Sequence, residues 1–243
     1  MTPSNDRPAE SRVALVTGGS RGLGTALCAE LAARGWRVIT DGRDAVVLRA
    51  AVARMQVPDA VTAIPGDVAD PAHRDRLVQA VAAAGGLDLV VNNASILGPS
   101  PQPALAEYPL AELEAVYAVN TVAPLALLQP LIPHLLGRAG RVINISSDAA
   151  VEAYPGWGGY GSSKAALDHL TAILAVEQPG LRVYAFDPGD MRTEMHQRAF
   201  PGEDISDRPP PESVVPVLLR LVEDNLPSGR YRVGDLGTPV SGT

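Results

Sequence analysis

Short apolar runs alternate along the chain with longer segments in which apolar residues recur at helical spacing. Seven of these runs predict strands, at 13–17, 37–40, 61–64, 87–92, 141–146, 181–186 and 230–233. The intervening segments predict helices near 22–34, 44–55, 71–84, 109–136, 160–177 and 212–226. Because strands and helices alternate, the pattern indicates a parallel sheet with helices on both faces.

The chain is long enough for one α/β domain with a sizeable core, and no stretch resembles a linker or an internal repeat. We therefore expect a polar N-terminal tail at 1–11 and a single domain at 12–243. Three stretches rich in proline and glycine are expected to border a ligand crevice beyond the carboxyl ends of the strands, at 98–103, 154–161 and 201–211.

Composition and charge narrow the classes of function. Hydrophobic residues make up 46% and charged residues 19% of the chain, which is ordinary globular composition. The formal net charge of −7 argues against non-specific nucleic-acid binding, because affinity for phosphates requires a basic face. The four histidines lack the spacing of metal ligands, so no metal is expected.

The single cysteine and the N-terminal residues favour a cytoplasmic protein. Cys28 cannot form an intramolecular disulfide, and its apolar neighbours indicate core packing. Residues 1–11 are polar and lack the apolar segment of a signal peptide. The most apolar stretch, 116–136, contains several prolines together with Asn120 and His134. We interpret it as a buried, kinked helix rather than a membrane span.

A glycine-rich turn, Thr-Gly-Gly-Ser-Arg-Gly-Leu-Gly from Thr17 to Gly24, follows the first predicted strand. Glycines allow the backbone to turn tightly and to approach a pyrophosphate at the start of the next helix. The same residues match the Gly-x-Ser-x-Gly elbow of α/β-hydrolases, with Ser20 as nucleophile. We regard a hydrolase as the remote alternative, because no upstream loop could supply a second oxyanion donor and because phosphate contact explains the further Gly-x-Gly spacing.

Tyr160 and Lys164 form a second candidate motif. Lys164 is the only lysine among the 20 basic residues, and it stands four positions after Tyr160. On a helix the two side chains share a face, which would place an ammonium beside a phenol. An ammonium about 4 Å away contributes about 4 kcal/mol at an effective dielectric of about 20. That energy would lower the phenol pKa by roughly 3 units, towards neutrality, so the pair predicts an acid–base group.

Further motifs follow in a fixed order. Asn92-Asn93-Ala94-Ser95 ends the fourth predicted strand, Asn120 lies on the long central helix, Ser147 stands 13 residues before Tyr160, and a Pro-Gly-x-x-x-Thr segment runs from Pro188 to Thr193. Together with the glycine turn and the Tyr–Lys pair, these motifs resemble the classical short-chain dehydrogenase/reductase family over residues 13–236. The resemblance implies an α/β fold, with a single doubly wound Rossmann-type domain and a seven-stranded, mostly parallel sheet.

The resemblance also implies a catalytic set of Asn120, Ser147, Tyr160 and Lys164. Tyr160 would protonate a carbonyl oxygen in reduction and accept a hydroxyl proton in oxidation, while Ser147 would hydrogen-bond the same oxygen. Lys164 would bind the nicotinamide ribose as well. Asn120 would hold a water that relays protons to the lysine.

A dinucleotide cofactor is implied by the same resemblance. The residues expected to bind it are Gly18, Ser20, Arg21, Gly22, Leu23, Gly24, Arg43, Asp67, Val68, Asn93, Ala94, Tyr160, Lys164, Pro188, Gly189, Met191 and Thr193. Gly42 occupies the position of the acid that holds a free ribose hydroxyl, and Arg21 and Arg43 occupy positions that hold a 2′-phosphate, so we expect NADP(H). Asp41 should point away from the ribose, because side chains alternate along a strand.

These motifs predict an NADP(H)-dependent oxidoreductase that transfers a hydride between nicotinamide and a ketone, an aldehyde or a secondary alcohol. An NAD-dependent alcohol dehydrogenase and a non-catalytic NADP-sensing protein are the alternatives. Since family members associate through the central and tyrosine-bearing helices, a homodimer or homotetramer is expected.

Several segments depart from the family pattern or stay unassigned. Tyr184 stands where asparagine is usual, and the glycine-rich carboxyl tail is replaced by 229–234. Residues 194–211 mix Met195, His196 and Phe200 with acids and prolines, and they are expected to form a lid over the substrate. For His196 a surface position is favoured over substrate contact.

Overall fold

The computed structural model describes residues 12–237, so the expected tail at 1–11 and residues 238–243 lie outside the described part. Seven strands form one sheet: β1 (Val13–Val16), β2 (Arg37–Gly42), β3 (Val61–Pro65), β4 (Leu89–Asn92), β5 (Arg141–Ile145), β6 (Arg182–Asp187) and β7 (Gly229–Arg232). Their order across the sheet is β3-β2-β1-β4-β5-β6-β7, and every neighbouring pair is parallel. The predicted α/β fold is confirmed, and the sheet is wholly parallel.

Helices cover both faces of the sheet. They are α1 (Gly22–Ala33), α2 (Ala45–Ala53), α3 (Pro71–Ala83), α4 (Leu110–Tyr117), α5 (Ala123–Leu136), α6 (Gly158–Glu177), α7 (Glu194–Ala199), α8 (Val215–Glu223) and α9 (Val233–Leu236). Alternate residues of β1 enter two separate cores: Ala14 and Val16 pack with α1 and α8, whereas Val13 and Leu15 pack with α3 and α5. Successive side chains of β1 point to opposite faces of the sheet. Because helices cover both faces, every residue of the strand is apolar.

The strand order reverses between β1 and β4. β1 pairs with β2 on one side and with β4 on the other, so the connections leaving the two central strands diverge. A crevice therefore opens beyond their carboxyl ends, where doubly wound sheets bind ligands. The glycine turn leaves β1 at this point.

The long central helix differs from its prediction as one segment at 109–136. A π-helical turn, Ala118–Val122, separates α4 from α5. By length and composition, Leu110–Leu136 could cross a membrane, and half of its most apolar window is buried. Leu127, Leu131 and Leu135 of α5 pack in the core, so the apolar character of the helix is explained by its position against the sheet.

Candidate active site

A cleft of about 340 Å³ opens at the strand-order reversal. Most of the residues expected to bind the cofactor line it: Gly18, Ser20, Arg21, Gly22, Leu23, Arg43, Asp67, Val68, Asn93, Ala94, Tyr160, Pro188, Gly189, Met191 and Thr193, with the candidate catalytic residue Ser147 beside them. Gly24, Asn120 and Lys164 lie behind the cleft wall and are buried. The structure thus brings the separate sequence motifs together around one cavity.

The glycine turn is held against the end of β4. Gly18 has a φ of +74° and its N–H donates to Asp41 Oδ1 at 2.7 Å. The Asn93 side chain donates to the carbonyl of Thr17 at 2.8 Å. A Cβ on Gly24 would lie 2.3 Å from the Gly18 carbonyl oxygen, so this position has no room for a side chain. The close approach explains the last glycine without reference to a ligand.

The amino terminus of α1 fits the pyrophosphate of a dinucleotide. The N-cap residue Arg21 makes no side-chain capping bond, and the first turn contains no acid. By contrast, Asp44 caps α2 and Asp70 caps α3 with their carboxylates. The first N–H groups of α1 therefore have no side-chain acceptor and lie at the cleft, which is the arrangement that binds phosphate.

Asp41 is 1% exposed and both of its carboxylate oxygens are engaged. Oδ1 accepts from Gly18, and Oδ2 lies 2.9 Å from His73 Nε2. The other His73 nitrogen, Nδ1, lies 3.0 Å from an Arg76 N–H group. The Asp41 carboxylate therefore links the backbone of the glycine turn to His73 of α3. His73 cannot serve as a base for Ser20, because both of its ring nitrogens are engaged.

The two arginines expected at a 2′-phosphate differ in their surroundings. Arg43 follows β2 and is exposed at the cleft. Arg21 is also exposed, and its guanidinium forms an ion pair with Glu194 at the start of α7. Arg21 therefore links the glycine turn to the lid. Asp67 lines the cleft too, while its Oδ1 accepts from Ala69 N in a local turn.

Tyr160 and Lys164 lie together on α6, as the i, i+4 spacing predicts. Lys164 Nζ is 5.6 Å from the centroid of the Tyr160 ring and donates to the Ile145 carbonyl at 2.7 Å. Lys164 is 1% exposed, and burial lowers its pKa to about 8 even though Asp168 acts in the opposite direction. The lysine is thus directed at the end of β5 as well as at the tyrosine ring.

The expectation that the Tyr160 pKa falls towards neutrality is wrong for this structure. Burial raises the pKa of Tyr160, a hydrogen bond with Ser147 partly opposes the rise, and the Asp187 and Asp148 charges add to it. Lys164 is not among the groups that shift this pKa, and its ammonium donates to the Ile145 carbonyl. Tyr160 is therefore a protonated phenol at neutral pH.

Ser147 occupies the position between the end of β5 and Tyr160. Its hydroxyl donates to Asp148 Oδ1 at 2.9 Å and accepts from Ala149 N at 3.2 Å. Neighbouring Ser146 is buried instead, and its N–H donates to the Phe186 carbonyl. Of the two serines, the structure brings Ser147 to the tyrosine.

Asn120 lies in the π-helical turn, and its side chain is fully engaged. Oδ1 accepts from Ile96 N at 2.8 Å, and Nδ2 donates to the Ile96 carbonyl at 2.9 Å and to Ser163 Oγ at 3.0 Å. Pro124 has no N–H group, so the backbone carbonyl of Asn120 lacks its i+4 donor. The amide ties the α4–α5 junction to the loop after β4.

An ion network beneath the site involves residues that the sequence reasoning missed. Arg230 of β7 donates to Asp168 Oδ2 at 2.9 Å, to Asp187 Oδ2 at 3.1 Å and to the carbonyl of Ser147 at 2.9 Å. Asp187 immediately precedes the Pro-Gly segment, and Arg230 lies in the unusual carboxyl tail. Both residues lie beside segments that the sequence analysis had singled out. Their ion pair could not be predicted, because Asp187 and Arg230 are distant in sequence and meet only when β6 and β7 pair.

The lid begins with the short helix α7. Thr193 caps it by accepting from His196 N at 3.2 Å. The His196 side chain is only 9% exposed, so the favoured surface position was wrong. Met195 and Ala199 pack against the cluster that contains Tyr160 and Leu97. This part of the expected lid thus packs directly against Tyr160.

A wholly parallel, doubly wound sheet with a dinucleotide cleft and a Ser–Tyr–Lys set defines a nucleotide-binding oxidoreductase. The sequence model of the short chain dehydrogenase family matches residues 12–204. The chain belongs to this family, and it is an enzyme of the dehydrogenase/reductase class that acts on CH–OH groups or the corresponding carbonyls.

Individual relatives agree with this assignment. The chain is 35% identical over 205 residues to 2-(R)-hydroxypropyl-CoM dehydrogenase of Xanthobacter autotrophicus, covering 82% of each chain. It is 37% identical over 193 residues to a rhamnolipid-biosynthesis 3-oxoacyl-[acyl-carrier-protein] reductase of Pseudomonas aeruginosa, covering 76% of this chain and 74% of that one. A short chain dehydrogenase structure from Shigella flexneri 2a, complexed with NADP, superposes with a TM-score of 0.86 at 29% identity, covering 91% and 96% of the two chains.

Proposed function

We propose that the protein is an NADP(H)-dependent carbonyl reductase, reversible as a secondary-alcohol dehydrogenase. The observation that carries this proposal is the buried Tyr160 phenol, which lines the same cleft as Ser147 and is kept protonated by its surroundings. A phenol that retains its proton at neutral pH has a proton to donate to a carbonyl oxygen during reduction.

Each catalytic residue has a distinct part in this reaction. Bound reduced nicotinamide supplies the hydride. Ser147 turns its hydroxyl from Asp148 to the substrate carbonyl oxygen and positions the carbon for attack. Tyr160 donates its proton to that oxygen. The Lys164 ammonium replaces this proton through an intervening hydroxyl or water, because it does not bond to the phenol oxygen itself, and a water held at Asn120 passes a proton from solvent back to the lysine.

The pH dependence follows from Lys164. Because its pKa is lowered to about 8, the side chain is an ammonium below that pH and neutral above it. We expect kcat/KM for reduction to be constant near neutrality and to fall above about pH 8, whereas oxidation, which needs Tyr160 as a base, rises with pH. Initial rates in both directions from about pH 6 to about pH 10 test this. A reduction rate that does not change over that range would contradict the proposed proton return.

The NADP(H) preference rests on Arg43 and Arg21. We expect Arg43→Ala to weaken NADPH binding about 10- to 100-fold, because a charged hydrogen bond to phosphate is lost, and to change NADH binding less than about threefold. Energy transfer from tryptophan to bound nicotinamide measures both affinities. Arg49→Ala is the control, since Arg49 is exposed on α2 and its Nε contacts only the local Ala45 carbonyl. Equal losses for the two cofactors would instead favour the NAD-dependent alternative.

The complete catalytic set disfavours the NADP-sensing alternative, because a protein that only binds the cofactor needs no general acid. The Ser20 hydrolase is disfavoured by the engagement of His73. We further propose a homodimer or homotetramer, supported by the exposed Val122, Ile173 and Val176 on the central and tyrosine-bearing helices. A cytoplasmic location stays a prediction.

A further inference from the structure

A continuous row of aromatic rings leads from the catalytic tyrosine into the lid. The Trp157 ring centroid lies 5.8 Å from that of Tyr160, Phe200 lies 5.9 Å from Trp157, and His196 lies 4.8 Å from Phe200. Trp157 and His196 both line the cleft. Leu97 is among the apolar side chains packed at the Tyr160 end. The space beside the catalytic phenol therefore has aromatic and aliphatic walls.

The polar group at the far end of this row lacks a partner. His196 Nε2 is shielded from water and makes no hydrogen bond to any residue between 12 and 237. The other ring nitrogen, Nδ1, lies 3.7 Å from Asp190 Oδ1. Buried polar atoms in proteins are nearly always satisfied, and an unsatisfied one calls for an explanation. A ligand in the cleft would provide the missing hydrogen bond.

Given the proposed reductase function, we propose that His196 is a substrate-binding residue and that the substrate is an aryl ketone or aldehyde carrying a hydroxyl group. The aromatic walls fit a flat ring. A hydroxyl is the substituent that can either donate to a neutral Nε2 or accept from a protonated one. A carboxylate could only accept from an Nε2–H group and would lie near the like-charged Asp190, so we favour the hydroxyl.

The lid geometry connects this contact to the cofactor. Thr193, which is expected to contact the cofactor, caps α7 by bonding His196 N, so the two residues lie on consecutive parts of one short helix. Met195 Sδ contacts Ser95 Oγ at 3.8 Å across the cleft. Because Nε2 is shielded in the structure, a shift of α7 is needed for it to reach the hydroxyl group of a bound substrate.

Calorimetric titration of the protein saturated with oxidised NADP tests the contact without turnover. The probes are acetophenone and its 3′- and 4′-hydroxy isomers. We expect at least one hydroxy isomer to bind the wild type about 10- to 100-fold more tightly than acetophenone, as a hydrogen bond to an otherwise unpaired buried group should. His196→Phe keeps a flat ring beside Phe200 but has no nitrogen, and it should bind all three probes within about threefold of one another.

Two further variants separate this contact from a general effect of the lid. His196→Gln places an amide close to the position of the imidazole Nε2 and should restore part of the preference. His169→Phe makes the same chemical change at an exposed site on α6 and should leave the wild-type preference intact. Thermal unfolding of each variant verifies that it is folded. A hydroxyl preference that persists in His196→Phe would overturn the proposal.

Rates of reduction of the same probes by NADPH test the reductase proposal separately from the His196 contact. If a probe is reduced but the wild type shows no hydroxyl preference, the His196 inference fails and the reductase stands. If the preference depends on His196 but no probe is reduced, the substrate contact stands and the reductase proposal fails. Tighter binding of 4-acetylbenzoate than of both hydroxy isomers would overturn the assignment of a hydroxyl group.

Discussion

Replacing Tyr160 with phenylalanine is expected to lower kcat for carbonyl reduction about 100- to 10,000-fold, the usual contribution of a positioned general acid. The ring remains, so its contacts with Trp157 and the Lys164 ammonium are preserved. What is lost is the proton that neutralises the developing alkoxide. NADPH affinity should change by less than about threefold, because the glycine turn and α1 are unaltered. Single-turnover absorbance of NADPH measures the chemical step separately from binding.

Tyr231→Phe provides the matched control. The Tyr231 hydroxyl donates to the Pro227 carbonyl at the surface, so its loss removes a phenol without touching the cleft. Turnover of this variant should stay within about twofold of the wild type. If Tyr160→Phe retained comparable turnover, Tyr160 would not be the acid, and the role of Ser147 would have to be reconsidered with it.

The fold could be predicted because its causes are local. Strands buried on both faces need continuous apolar runs, so the alternation of runs and helices predicted a parallel sheet with helices on both faces. The π-helical turn at 118–122 was missed, because it replaces one helical hydrogen-bonding pattern by another without changing the apolar spacing. The six-residue helix α7 was also missed, since it depends on a single Thr193 cap and on packing against the cleft.

The candidate site could be predicted only in part, because some of the groups that act on it come from distant parts of the chain. Spacing placed Lys164 beside Tyr160, but the spacing shows only the charge of that one neighbour. The structure adds burial of the phenol and two nearby carboxylates, which together reverse the expected direction of the Tyr160 pKa. These groups reach the site from β5 and β6, and no local pattern in α6 indicates their presence.

Two departures from the family pattern explain each other in three dimensions. Tyr184 of β6 is fully buried, and its hydroxyl donates to the Leu226 carbonyl at 2.9 Å. Its ring packs edge-on against Tyr231 of β7, with centroids 6.0 Å apart. The unusual carboxyl tail therefore supplies the partner for the unusual strand residue. Neighbouring positions on paired strands cannot be matched from sequence until the strand order is known.

Arg230 of β7 also pairs with Asp187 of β6, and a second large effect is expected from its replacement. Arg230→Met is expected to lower the free energy of unfolding by about 3 kcal/mol, because it leaves the buried Asp187 carboxylate and the partly buried Asp168 carboxylate without their main counter-charge. For a domain of this size the midpoint of thermal unfolding should fall by about 6–12 °C. Activity should fall too, since the Ser147 carbonyl loses its Arg230 donor.

A charge-removal cycle separates this network from a simple loss of packing. Arg49→Met removes an exposed arginine and should change the free energy of unfolding by less than about 0.5 kcal/mol. Adding Asp187→Asn to Arg230→Met should recover part of the stability, because the uncompensated buried charge is then reduced. Arg230→Lys should fall between wild type and Arg230→Met, since one ammonium cannot reproduce a planar group that reaches three acceptors. Additive effects of the two substitutions would show that Arg230 stabilises β7 through its alkyl chain, and that the carboxylates beneath Ser147 are held by other groups.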